Sequence, residues 1–115
     1  MSLALFHNPA CSKSREALAL LQAKDLTPEV IDYLQTPPSL EQLRELQRRL
    51  RLPARELLRK GEEAYAQLGL EQPTFSEDDL LAAIAAHPIL LQRPIVVNGE
   101  RALIARPPSL LLEFL

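Results

Sequence analysis

Tryptophan is absent from this 115-residue sequence, and phenylalanine and tyrosine together make up only 4% of it. A core must therefore be built from leucine, isoleucine, valine and alanine, and the 47% hydrophobic share is enough for one compact core. There is one cysteine, so no disulfide can close within the chain, and a reducing cytoplasm is the simplest setting. No excess of one charge exists: 13 basic and 15 acidic residues leave a formal charge of −2, which argues against a general nucleic-acid or membrane-surface binder. No apolar run approaches the roughly 20 residues of a membrane span. The N-terminus has no basic segment followed by an apolar one, so no signal peptide is expected. Metal-ligand spacing, a nucleotide-binding glycine loop, internal repeats and low-complexity stretches are all lacking. The length points to a single domain, 1–115.

Proline, by contrast, is plentiful, and together with glycine it punctuates a clear order of elements. Leu3-Ala4-Leu5-Phe6 is a short apolar strand ended by His7-Asn8-Pro9. A helix follows over residues 12–24, with Ala17, Leu18, Leu20 and Leu21 on its apolar face. Residues 29–33 form a second strand, and beta-alpha-beta in about 30 residues implies a right-handed crossover and a parallel pair. Ser39, with Gln42 three residues on, caps a helix running to about residue 51. Short helices are expected after Pro53 and over 62–68, and Ser76 with Asp79 caps another that ends at Pro88. Residues 37–88 thus form a helical insertion. Then Ile95-Val96-Val97, the hairpin signal Asn98-Gly99 and the returning strand 101–104 lead to a last helix over 110–114. With the first and third strands taken as parallel, the expected fold is α/β: a thioredoxin-like mixed four-stranded sheet with helices, and a helical insertion between the second and third strands.

The cysteine lies in Asn8-Pro9-Ala10-Cys11-Ser12-Lys13-Ser14-Arg15, where the first strand hands over to the first helix. Backbone N–H groups in a first helical turn are unpaired and the helix dipole adds positive potential, so a thiol there should ionise more readily than a free one, with its pKa of about 8.5. Lys13 and Arg15 bring further positive charge. A buried structural cysteine is the ordinary alternative, but every neighbour from His7 to Arg15 is polar or small, which favours a reactive thiolate. The fourth position of a Cys-x-x-Cys pattern is Ser14. Its hydroxyl can donate to a thiolate but cannot resolve a disulfide, so any redox cycle through Cys11 needs a thiol from outside the chain.

His7 is placed to stabilise a thiolate, by charge or through a polar network, or equally to be a surface histidine at a strand end. His87, before Pro88, suits a helix C-terminus and reads as structural. Arg93-Pro94 immediately precedes the third strand. Proline at a strand's first residue is ordinary, yet in this type of sheet the position borders the active-site loop. A cis peptide there, found for about 5–6% of X-Pro bonds, would push Arg93 toward the thiol. Arg59-Lys60-Gly61 and Arg106-Pro107 also set a guanidinium at an element boundary. Singly, each arginine is an ordinary surface charge. Converging on a thiolate, Arg59, Arg93 and Arg106 would bind a tetrahedral oxyanion, because the planar guanidinium fork matches it. Arg44, Arg48, Arg49, Arg51 and Arg55, with Glu41 and Glu45, read as a solvated helix face with i,i+4 pairing.

On the stretch 7–15, on Leu57-Leu58-Arg59-Lys60, on Arg93-Pro94-Ile95-Val96-Val97 and on Arg106-Pro107, the chain resembles the glutaredoxin- and glutathione-linked arsenate reductase family, as a short member. The resemblance covers nearly the whole length, insertion included. It implies a thioredoxin-like fold, Cys11 as the nucleophile that attacks arsenate, and Arg59, Arg93 and Arg106 as the oxyanion-binding arginines. It implies His7 and Ser14 as residues linked to thiolate stabilisation and Pro94 as the structural cis-proline. It further implies glutathione as co-substrate with no tightly bound cofactor and no metal, glutaredoxin as the partner that resolves the mixed disulfide, and a monomer. Short relatives of this size leave an alternative open, a glutathione-dependent thiol reductase without arsenate activity, whose arginines would bind a glutathione carboxylate. A branch of the fold that binds RNA polymerase typically carries Cys-x-x-Cys, and Ser14 argues against it. A non-enzymatic module that binds partners through the helical insertion is a third reading.

Overall fold

The computed structural model of the chain describes residues 3–115; the first two residues of the expected 1–115 domain lie outside the described residues. The chain divides into two compact units, one made of Met1–Thr36 and Arg93–Leu115, the other of Pro37–Gln92.

The first unit is built on a mixed four-stranded sheet in the order β2-β1-β3-β4, from β1 (Leu3–His7), β2 (Glu29–Asp32), β3 (Ile95–Asn98) and β4 (Arg101–Ile104). β1 pairs in parallel with β2, with His7 opposite Asp32. β3 runs antiparallel to β1, with Phe6 opposite Ile95 and Leu3 opposite Asn98. The expectation that the first and third strands are parallel is therefore overturned. A short apolar run such as Ile95-Val96-Val97 has the same alternation read in either direction. Its direction is decided by where the chain re-enters the sheet, and it re-enters beside the end of β1. The β3–β4 hairpin closes with Asn98 opposite Arg101, so the loop is Gly99-Glu100, and Gly99 supplies the positive φ of 63°.

Helix α1 (Ser12–Ala23) buries Ser14, Ala17 and Leu21, one face at helical spacing. Ala17 and Leu21 meet Leu5 and Val96 of the sheet, Ala105, and Leu111 of the last helix, which runs over Leu111–Phe114 after a 3-10 turn at Pro108–Leu110. Burying a leucine fully contributes about 1.5–3 kcal/mol, so Leu5, Leu21 and Leu111 dominate this core. Arg101 fastens the C-terminal helix by donating from Nη2 to the Phe114 carbonyl at 2.8 Å and stacking on the Phe114 ring.

In the second unit, α2 (Leu40–Leu50) and α4 (Glu77–Ala86) each begin with the capping box read from the sequence, Ser39 with Gln42 and Ser76 with Asp79. Between them lie a 3-10 turn at Ala54–Leu57 and α3 (Glu63–Gln67). The charged face of α2 is less uniform than expected. Arg48 and Arg49 pair with Glu45 as helix neighbours, but Arg44 reaches across to Asp78 of α4 at 3.0 Å. Arg55 is not a solvated charge: it donates to the Leu70 carbonyl at 2.7 Å, to the Tyr65 hydroxyl and to the Gln72 carbonyl, which ties down the loop after α3. One contact escaped the sequence pattern. Leu58 bridges Leu91 in antiparallel fashion, and the N–H of Arg59 donates to the Leu90 carbonyl at 2.7 Å.

Candidate active site

The turn from β1 into α1 is fixed at every residue. The Asn8 carboxamide oxygen accepts the N–H of Ala10, its carbonyl accepts the N–H of Cys11, and its own N–H donates to Ser14 Oγ, each at 3.0 Å. Arg15 Nη1 donates to the Pro9 carbonyl at 2.8 Å. Cys11 is left as the N-cap of α1, with extended backbone angles of −96° and 123°. An N-cap side chain faces the free N–H groups two and three residues on. Here those belong to Lys13 and Ser14.

Two opposing influences act on the half-buried thiol. Burial pushes its pKa up, but the N–H dipoles of Ser14 and Lys13 and the guanidinium of Arg93 outweigh burial, and the net direction is down from 9.0. Neither N–H makes a cap bond of full hydrogen-bond geometry to Sγ. Their contribution is the field at a helix N-terminus, which favours the anion. The side chains of Lys13 and Arg15, expected to add charge, are turned elsewhere: Lys13 pairs with Glu16 at 3.7 Å, and Arg15 holds Pro9. Arg93 is the side-chain cation that acts on the thiol.

His7 and Ser14 form a buried pair, Nδ1 to Oγ at 2.6 Å. Burial lowers the His7 pKa below 6.5; Asp32 opposes this weakly and Arg15 adds to it. The serine oxygen also accepts the Asn8 N–H, and the imidazole tautomer sets which of Nδ1 and Oγ donates to the other. On the thiol, Ser14 acts through its backbone N–H.

Arg93 sits just ahead of β3. Burial lowers the pKa of its guanidinium, but the interactions with Cys11 and Tyr33 outweigh burial and the net direction is up. Arg106 donates from Nη1 to the Arg93 carbonyl at 3.2 Å. Both arginines precede proline across a cis peptide, Arg93–Pro94 and Arg106–Pro107. Arg59 belongs to the second unit, where its Nε donates to Glu62 at 3.2 Å. Of the residues singled out in the sequence, the first unit therefore brings together Cys11, His7, Ser14, Arg93, Pro94 and Arg106. Tyr33 was missed. The only signal for it was its place one residue past β2, level with the start of the cysteine loop.

This geometry can hold a thiolate against a fixed guanidinium. Residues 6–114, from the end of β1 to the last helix, match the profile of the ArsC family. The chain belongs to the ArsC family. It is 47% identical over 104 residues to an arsenate reductase of Neisseria meningitidis, covering 90% of this chain and 89% of that protein. An arsenate reductase of Haemophilus influenzae is 42% identical over 116 residues, with both chains covered in full at 100%. Among solved structures, an arsenate reductase from Vibrio cholerae superposes with a TM-score of 0.96 at 48% identity, over 100% of this chain and 98% of its own. The thioredoxin-like α/β fold is that of these ArsC relatives. No helix among the described residues is long and apolar enough to cross a membrane.

Proposed function

We propose that this ArsC-family protein reduces arsenate to arsenite, with Cys11 as nucleophile and external thiols as the reductant. The observation that carries the reading is the Cys11 thiol at the N-terminus of α1, held below its usual pKa with the Arg93 guanidinium as its side-chain cation. A thiolate beside a forked cation is suited to meet a tetrahedral oxyanion, since the cation neutralises the incoming charge that would otherwise repel the sulfur.

The Cys11 thiolate attacks As(V), forming an S–As bond as one arsenate oxygen leaves, protonated, as water. Glutathione thiolate then attacks Sγ. The S–As electron pair stays on arsenic, which becomes As(III) and departs as arsenite. A Cys11–glutathione disulfide remains. With one cysteine in the chain, a thiol of glutaredoxin removes the glutathione and restores the Cys11 thiolate. Arg93 and Arg106 hold the oxyanion, and the His7–Ser14 pair keeps the cysteine loop in its thiolate-favouring geometry. The protein works as a soluble monomer in a reducing cytoplasm, with glutathione as co-substrate and no resident cofactor.

The second reading, a glutathione-dependent thiol reductase, is favoured by one observation: Arg59 already holds a carboxylate, so its fork would take one from glutathione as readily. Arsenite release from arsenate, glutathione and glutaredoxin decides between them. Release that is abolished by Cys11→Ser is expected. Glutathione binding by calorimetry with no arsenite formed would overturn the arsenate reading in favour of the second.

A further inference from the structure

The central strand β1 has β2 on one side and β3 on the other, and each neighbour delivers a side chain to the same level of it. In the parallel pair Asp32 stands opposite His7, so Tyr33, one residue on, comes level with Asn8. In the antiparallel pair Ile95 stands opposite Phe6, so Arg93, two residues earlier, also comes level with Asn8. Tyr33 and Arg93 therefore flank the start of the Cys11 loop from opposite sides.

Both are closed in. Tyr33 is 0% exposed, hydroxyl included, and Nε and Nη1 of Arg93 are likewise sealed from solvent. A phenol hydroxyl buried to this degree is retained only where a polar partner offsets its lost hydration. The group beside it is the Arg93 guanidinium, whose charge interacts with Tyr33 and with Cys11 together. An arginine side chain has many rotamers, and one interaction at Cys11 does not select among them. A second contact to a rigid ring does. The other cations near the loop cannot substitute: Lys13 is paired with Glu16, Arg15 with the Pro9 carbonyl and Arg106 with the Arg93 carbonyl, while His7 is engaged by Ser14.

We propose that Tyr33 is the positioning residue for Arg93: its hydroxyl holds one side of the guanidinium so that the remaining N–H groups stay turned toward Cys11 and toward an incoming oxyanion. The oxyanion half rests on the function proposed above, whereas the thiol half does not depend on arsenate.

The test is a double-mutant cycle of Tyr33→Phe and Arg93→Ala, read by the pH profile of Cys11 alkylation with iodoacetamide. Tyr33→Phe keeps the ring in place and removes only the hydroxyl. The midpoint should move up by about half a pH unit, roughly threefold in the thiolate-to-thiol ratio, as one polar neighbour of the guanidinium is lost. In the Arg93→Ala background the same change should move nothing further. With arsenate as substrate, KM should rise in Tyr33→Phe more than kcat falls. A midpoint equal to the parent's, or an equal shift with and without Arg93, overturns the proposal. Should Tyr33→Phe not fold, 3-fluorotyrosine incorporated into a Tyr65→Phe background weakens the same hydroxyl as an acceptor at constant packing, and an unmoved midpoint there is equally fatal. A shift that depends on Arg93 in a protein that releases no arsenite keeps the positioning role and rejects the arsenate reading; arsenate reduction with no shift does the reverse.

Discussion

Arg93 meets Cys11 because Ile95 pairs with Phe6 in antiparallel register. Were β3 parallel to β1, the residue ahead of it would lie at the opposite end of the sheet from the cysteine loop. The strand's direction, more than any local feature of Arg93, gives the thiol its counter-charge.

Arg93→Ala should raise the Cys11 pKa and weaken arsenate use together. A charge-assisted hydrogen bond is worth about 1.5–3 kcal/mol, so KM for arsenate should rise roughly ten- to hundredfold. Arg106→Ala should do less to the thiol, because Arg93 is the cation that acts on Cys11 and Arg106 bonds to the Arg93 carbonyl. Steady-state kinetics and alkylation profiles of both variants check this ranking, and equal thiol shifts would refute it.

Cys11 should link pH to stability. Its pKa is lowered in the fold from 9.0, so the thiolate is favoured there. The stabilisation is complete above 9.0, and it is lost as pH falls through the lowered folded value. Urea unfolding of the parent compared with Cys11→Ala should show an extra rise in stability toward alkaline pH that ends near 9.0. A pH-independent difference between the two would show that the thiol is not shifted.

Ser14→Ala separates the serine's side chain from its backbone. It removes the bonds to His7 Nδ1 and from Asn8 N–H in a fully buried place, which should cost about 1–3 kcal/mol. The thiol profile should change little, since the residue-14 N–H remains. Denaturation and alkylation measured on the same variant give both answers. A large alkaline shift of the thiol with unchanged stability would assign the effect to the hydroxyl instead.

His7 should destabilise the fold in mild acid. Burial lowers its pKa below 6.5, so between that folded value and 6.5 the unfolded chain binds more protons than the native one. Stability therefore falls as pH drops from 6.5, and levels off below the folded pKa. His7→Gln should flatten this slope. Thermal unfolding across that range tests it, and an identical slope in the variant would place the acid sensitivity elsewhere.

Much of this was legible in the chain itself. Ser39 with Gln42 and Ser76 with Asp79 announced helix starts that the structure reproduces, because a capping box is made of residues three apart and needs no tertiary contact. Cys11 was placed at a helix N-terminus by the same kind of local signal. Local signals failed where a long-range partner took over. Arg44 and Arg55 resemble any solvated arginine in sequence, yet one crosses to Asp78 and the other clamps Leu70 and Gln72. Tyr33 looked like a strand-end residue, and nothing adjacent to it in the chain marks it as a partner of Arg93.

The sequence by itself determined that this protein has one thiol, that the thiol caps a helix, and that any redox cycle through it must draw on an outside thiol, since these follow from residue counts and from contacts a few positions apart. Only the tertiary structure decided which cation serves that thiol. Lys13 and Arg15 are near Cys11 in the chain but are turned to Glu16 and Pro9, whereas Arg93, 82 positions away (93 − 11), is brought to it. The physical reason is that a strand's apolar alternation is blind to direction, and the hydrogen-bonded register between β1 and β3 fixes what stands beside the cysteine loop.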